Sequence, residues 1–194
     1  MCGKFFPNEK ELTRKIVHIG TGPLIPIAYT LNIPKNLALI VAGIVTTALA
    51  INYRLKFFQS IENVDRKSFG TISYAISITF LIFLFWSNNP SALISGTLVM
   101  AFGDGFAGLI GRKINSPKWI ICGQTKSVIG TLSMCLITAI IISSTCYFTD
   151  LNITFLEILI TTAIATFLEQ IGPLGIDNIS VPIGVAISMN VLIS

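Results

Sequence analysis

Charge is scarce in this sequence. Asp, Glu, Lys and Arg make up 11% of its 194 residues, less than half of the roughly 25% found in ordinary soluble domains. There is one histidine, so a centre built from several histidines is excluded. The cysteines, Cys2, Cys122, Cys135 and Cys146, form no C-x-x-C pair. Neither a disulfide framework nor a metal pattern is present, and they read as small buried hydrophobes. No small-residue cleavage site follows an apolar core in the opening MCGKFFPNEKELTRK, so no removable signal peptide is expected. A soluble basic domain is also lacking. The net charge of +4 therefore does not point to nucleic acid; it matches loops facing anionic headgroups.

What remains is apolar. Hydrophobic residues make up 53% of the chain and the mean hydropathy is +0.79. The expectation is an all-α membrane protein, a polytopic bundle forming one integral-membrane domain over residues 1–194. A spanning helix needs roughly 20 mostly apolar residues, and about seven segments qualify. They are Ile16–Ile33, Leu37–Asn52, Thr71–Trp86, Ser91–Ile110, Val128–Phe148, Phe155–Ile171 and Ile179–Ile193. The first contains Gly20, Gly22, Pro23 and Pro26 and should be broken or kinked. Basic residues gather before the first span, between the second and third, and between the fourth and fifth, with Lys35 the exception. Those segments share one side if every span crosses once. The positive-inside rule then makes the N-terminus and these loops cytoplasmic.

Ionisable groups inside membrane segments are costly and read as functional. Asp104, Glu169 and Asp177 lie at or in three spans near the expected cytoplasmic side, whereas Glu157, near the opposite end, reads as structural or interfacial. Asp104 sits in AFGDGFAGLIGRK, amid Gly103, Gly105, Gly108 and Gly111. The letters G-x-G-x-x-G occur there, but inside an apolar helix with no preceding strand, so the dinucleotide reading fails. Close helix packing is the plainer account of those glycines. The loop that follows, GRKINSPKWIICGQTKSVIGT, supplies Arg112, Lys113, Lys118 and Lys126, then Ser127, Gly130 and Thr131 at the start of the next helix. Cations beside a helix N-terminus suit phosphate, and a nearby carboxylate can hold a divalent metal against it. GQTKS is no P-loop, because the upstream glycine spacing is wrong. In ELTRKIVHIG, the residues Glu11, Arg14, Lys15 and His18 can share one helix face.

The pieces ELTRKIVHIG, RKSFGT, GDGFAGLIGRK, KSVIGT and GIDNISVP, in this order and spacing, resemble the polyprenol kinase family of membrane proteins. That family includes phytol, farnesol and dolichol kinases, and the likeness is nearest to the phytol kinase branch. Dolichol kinases tend to carry Glu where this chain has Ile129. The resemblance implies a CTP-dependent kinase that phosphorylates the hydroxyl of an isoprenoid alcohol, phytol or geranylgeraniol foremost, with Mg²⁺. It places Asp104, Gly108 and Gly111, then Lys126, Ser127, Gly130 and Thr131, then Asp177 and Asn178 in the nucleotide site. CTP is expected against Arg112 and Lys126, with the backbone of Gly130 and Thr131 as N–H donors and Arg14, Lys15 and His18 nearby. Asp104 and Asp177 are the expected Mg²⁺ ligands, and either of them or Glu169 could accept the alcohol's proton. Two other readings compete: a phosphatidate cytidylyltransferase, which would release pyrophosphate, and a small-solute transporter. The bilayer is the expected partner besides the alcohol.

Overall fold

The computed structural model describes residues 9–55 and 69–192, with side chains described from Lys15 onward in the first helix. Helices dominate it. They are α1 (Glu9–Thr21), α2 (Leu24–Thr30), α3 (Lys35–Leu55), α4 (Gly70–Phe85) and α5 (Pro90–Leu98). A π-helical segment, Val99–Asp104, leads into α6 (Gly105–Lys113). Strands β1 (Lys118–Ile121) and β2 (Gln124–Ser127) follow, then α7 (Val128–Phe148), α8 (Phe155–Ile171) and α9 (Asp177–Leu192).

Among the described residues, three helical stretches are long and apolar enough to cross a membrane: Lys35–Leu55, the continuous run Pro90–Lys113, and Val128–Phe148. Helix α9 runs through the bundle and packs on α8, α5 and α4. The side chains of Leu81, Leu93, Met100, Met134, Ile142 and Met189 are fully buried in the core. The outer surface is apolar as well. On α7, Leu132, Leu136 and Ile140 are all exposed, at the four-residue spacing of one helix face. Such a surface suits lipid rather than water.

Polar punctuation sets the helix ends. Ser127 caps α7, its hydroxyl accepting from the N–H of Gly130 at 3.2 Å. Thr154 and Glu157 form a capping box at the start of α8, so Glu157 is structural, as expected. Asn89 caps α5 and also donates to Asn190 at 3.1 Å. That bond joins the start of α5 to the end of α9. At the other end of the bundle, Asn178 donates to the carbonyl of Gly70 at 2.6 Å, joining the starts of α9 and α4.

The first apolar segment is broken, as its glycines and prolines imply, into two short helices, α1 and α2. The break falls at Pro23, which has no N–H to continue the helix, and Gly22 beside it packs so closely that a Cβ there would sit 2.5 Å from that of Ala101. One expectation needs correction: the fold is not purely α. The basic loop folds as an antiparallel hairpin pairing Lys118 with Ser127 and Trp119 with Lys126. Its two-residue turn places Cys122 and Gly123 at φ 49° and 75°, the doubly left-handed geometry that suits a tight hairpin. The first three residues of RKSFGT, 66–68, fall outside the described part, and so does Cys2.

Close packing also sets the crossing of α5 and α9. A Cβ on Gly96 would lie 2.5 Å from the carbonyl oxygen of Pro182, whereas one on Gly43 would meet nothing within 4 Å. Gly96→Ala should lower stability by about 1–3 kcal/mol, and Gly43→Ala by less than about 0.5 kcal/mol. Thermal unfolding of the detergent-solubilised protein checks both.

Candidate active site

The ends of α6, α7, α8 and α9 meet the hairpin and α1 around a cavity of about 490 Å³. Each wall has a local cause. Asp104 closes the π-helical segment, an irregularity frequent at functional sites. Gly108 admits Lys15: a Cβ there would lie 3.0 Å from the Lys15 Cε. Gly111 sets the crossing of α6 and α7, since its Cβ would come within 3.1 Å of the Gly130 Cα.

Two lysine–carboxylate pairs span the walls. Lys15 of α1 pairs with the carboxylate of Asp104 and also donates to its carbonyl at 3.2 Å. Both residues are 7% exposed. His18 Nε2 stands 3.9 Å from the same carboxylate oxygen, and its ring lies 4.0 Å from that of Tyr74. Lys126 of β2 pairs with Glu169 at the end of α8, 2.5 Å to Oε1 and 2.7 Å to the backbone carbonyl. Asp177, also buried, accepts from the N–H of Asn178 at 3.1 Å. It lies within coulombic reach of Asp104, Lys15, Lys126 and Glu169 but makes no ion pair among the described residues. Arg112 and Lys118 add further positive charge to the lining.

Most of the expected site residues thus lie together. Lys15, Asp104, Gly108, Gly111, Arg112, Lys126, Ser127, Gly130, Thr131, Glu169, Asp177 and Asn178 all face one cavity. His18 stands behind Asp104 rather than in the lining, and the side chain of Arg14 lies outside the described part. One expectation is corrected. The start of α7 does not leave its N–H groups open to an anion. Val128 donates to Pro117, Ile129 to Ser116 and Gly130 to Ser127, while the hydroxyl of Thr131 accepts from Gln170 at 3.0 Å.

Sequence reasoning missed Gln124, Gln170 and Trp119. Gln124 donates to the carbonyl of Gly172 at 3.0 Å, and Trp119 donates to Gln170 at 3.2 Å. These bonds fasten the hairpin to the end of α8. The available signal was an amide, Gln170, beside Glu169 in the last turn of a mostly apolar helix.

Comparison with known proteins identifies the family. The chain is 41% identical over 187 residues to the phytol kinase of Synechocystis sp., covering 93% of this chain and 78% of that protein. The chain belongs to the phytol kinase family. It is a kinase, a phosphotransferase with an alcohol acceptor. A probable chloroplastic phytol kinase of Oryza sativa is 29% identical, and phytol kinase 1 of Arabidopsis thaliana 28%. The matches cover 95% and 90% of this chain and 65% and 64% of those proteins. No family model matches, and no solved structure does.

The Lys15–Asp104 pair gives this kinase a measurable dependence. Lys15→Met removes a buried cation from Asp104, and breaking a buried pair of this kind typically costs about 3–5 kcal/mol. Lys15→Met combined with Asp104→Asn should cost less than Lys15→Met alone. Unfolding in detergent measures both, and a single variant as stable as wild type would contradict the pairing.

Proposed function

We propose that the chain is a multi-pass membrane kinase that moves the γ-phosphoryl group of CTP onto the hydroxyl of an isoprenoid alcohol, phytol or geranylgeraniol. The observation that carries this reading is one cavity holding cationic residues on the hairpin side and buried carboxylates toward the bundle interior. The named function of the relatives supports the alcohol. In this reading the cavity opens to the cytoplasmic face, the N-terminus lies on that side, and the seven apolar segments, taken as one domain, each cross the bilayer.

The roles follow from what each side chain already touches. Arg112, Lys118 and Lys126 take the triphosphate and offset its charge. Glu169 holds Lys126 and accepts from Gln170, so its part is to position that lysine. Asp104 stands at the junction of the cavity and the apolar bundle, where the hydroxyl of a lipid can arrive while its tail stays in hydrocarbon. It orients that hydroxyl and takes its proton as the oxygen–γ-phosphorus bond forms and the bond to the β-phosphate oxygen breaks, releasing CDP. Lys15 holds Asp104 in place and adds positive charge beside the reacting phosphoryl group.

Mg²⁺ fits these residues in its sparse mode, in which one or two carboxylates and substrate phosphates supply the ligands. Among the described residues no group of three or more His, Cys, Asp or Glu could hold a metal ion alone. Asp177, which has no lysine in contact among the described residues, would be the principal protein ligand, with Asp104 second. The ion would neutralise charge on the transferred group. Catalysis by the protein is otherwise positioning and charge complementarity.

Membranes containing the protein, given γ-labelled CTP or ATP, Mg²⁺ and a panel of phytol, geranylgeraniol, farnesol and dolichol, test the reading. Label should pass from CTP into phytol or geranylgeraniol. Asp104→Asn should lower turnover by at least about 100-fold, the scale of general-base loss, with the protein still folded. Normal turnover by Asp104→Asn would refute the mechanism. Pyrophosphate released in the presence of phosphatidate would replace the kinase by a cytidylyltransferase.

A further inference from the structure

Gln170 occupies an unusual chemical position. Its amide Nε2 donates to Glu169 Oε2 at 2.8 Å and to Thr131 Oγ1 at 3.0 Å, and its Oε1 accepts from Trp119 Nε1 at 3.2 Å. One side chain therefore bonds to β1, to α7 and to the carboxylate beside it on α8. The partners fix the amide's orientation, because an indole N–H needs an acceptor and a carboxylate needs a donor. The connections close on themselves. Glu169 holds Lys126 through its other oxygen, and Lys126 is the cross-strand partner of Trp119. Trp119, Gln170, Glu169 and Lys126 form a ring that ties the hairpin to the end of α8.

Glutamine suits this place for a chemical reason. The position needs two donors and one acceptor at once, at the reach of a two-carbon stem. Glutamate lacks the donors and would set a second carboxylate against Glu169. Asparagine is one methylene short. Methionine matches the shape but makes none of the bonds.

We propose that Gln170 is a positioning residue for the nucleotide: through Glu169 and the hairpin it fixes where the Lys126 ammonium stands in the cavity. It need not touch the substrate. The proposal rests on the reading that Lys126 binds the triphosphate. Half-buried hydrogen-bonded networks of this kind hold geometry that a lone salt bridge does not. Loosening the ring should therefore weaken nucleotide binding while leaving the alcohol's binding unchanged.

The test is steady-state kinetics on membranes or detergent-solubilised full-length protein, with Gln170→Met, Gln170→Glu, Trp119→Phe and Lys126→Met beside wild type. Gln170→Met should raise the KM for CTP about tenfold, the scale of one or two net hydrogen bonds, with a smaller change in kcat and none in the KM for phytol. Trp119→Phe, which removes only the indole N–H and keeps an aromatic ring, should shift the CTP KM in the same direction by less. Gln170→Glu should be worse than Gln170→Met at neutral pH and approach it as the pH is lowered and the added carboxyl is protonated. A merely structural role would not produce that pH dependence or the split between the two KM values. A raised CTP KM in Lys126→Met with ordinary values in both Gln170 variants overturns the positioning role alone. An unchanged CTP KM in Lys126→Met overturns the reading of the cavity and the role of Gln170 with it. Loss of folded protein in Gln170→Met shifts the decision to Trp119→Phe, where an unchanged CTP KM counts against the ring.

Discussion

Lys15 crosses from α1 to Asp104 inside a bundle whose surface is otherwise apolar, and the rest of the site is arranged around that contact. A carboxylate at that depth is expensive without a cation, and a buried pair is expensive without close geometry. Three features of the chain meet these demands. The π-helical segment ends on Asp104. The bare backbone at Gly108 lets the lysine stem lie against α6, and Gly105 admits Ile19, whose Cγ1 would stand 2.5 Å from a Cβ there. Helix α1 can approach only because those residues lack side chains, so the glycines around the acid are the means by which its counter-ion reaches it.

A second pair repeats the logic on the opposite wall with different parts. Lys126 comes from a strand, Glu169 from a helix end, and the hairpin between α6 and α7 brings them together. Each acid has its cation in place before substrate arrives, and the charges do not have to reorganise during reaction. Asp177 lies within coulombic reach of both pairs and makes no ion pair of its own among the described residues. A phosphotransferase needs this combination: fixed positive charge for a polyphosphate, and acidic groups differing in how firmly they are held.

Much of this was legible in the sequence. The bounds Val128–Phe148 and Phe155–Ile171 agree residue for residue with α7 and α8, because Ser127 and Thr154 mark their starts by capping chemistry and apolar runs fill the rest. Asp104, Lys126, Glu169 and Asp177 stood out because ionisable groups are rare in apolar surroundings. The unread parts depend on tertiary contacts. Nothing local to Val99–Asp104 announces a π-helical turn. The hairpin's alternation spans only four residues per strand, too few to separate from a loop. The N–H groups of α7 looked open to an anion, yet Pro117, Ser116 and Ser127 take them, which no spacing rule reveals. Gln170 was passed over because an amide at a helix end is ordinary until its three partners are known.

The central claim is that one cavity holds the phosphoryl donor against Asp104. A structure determined with a non-hydrolysable β,γ-methylene analogue of CTP and Mg²⁺ tests it most directly. The account expects the triphosphate among Arg112, Lys118 and Lys126, with its terminal phosphorus facing Asp104 and the cation on Asp177. A nucleotide bound elsewhere, or bound in this cavity with its terminal phosphate turned away from Asp104, would contradict it.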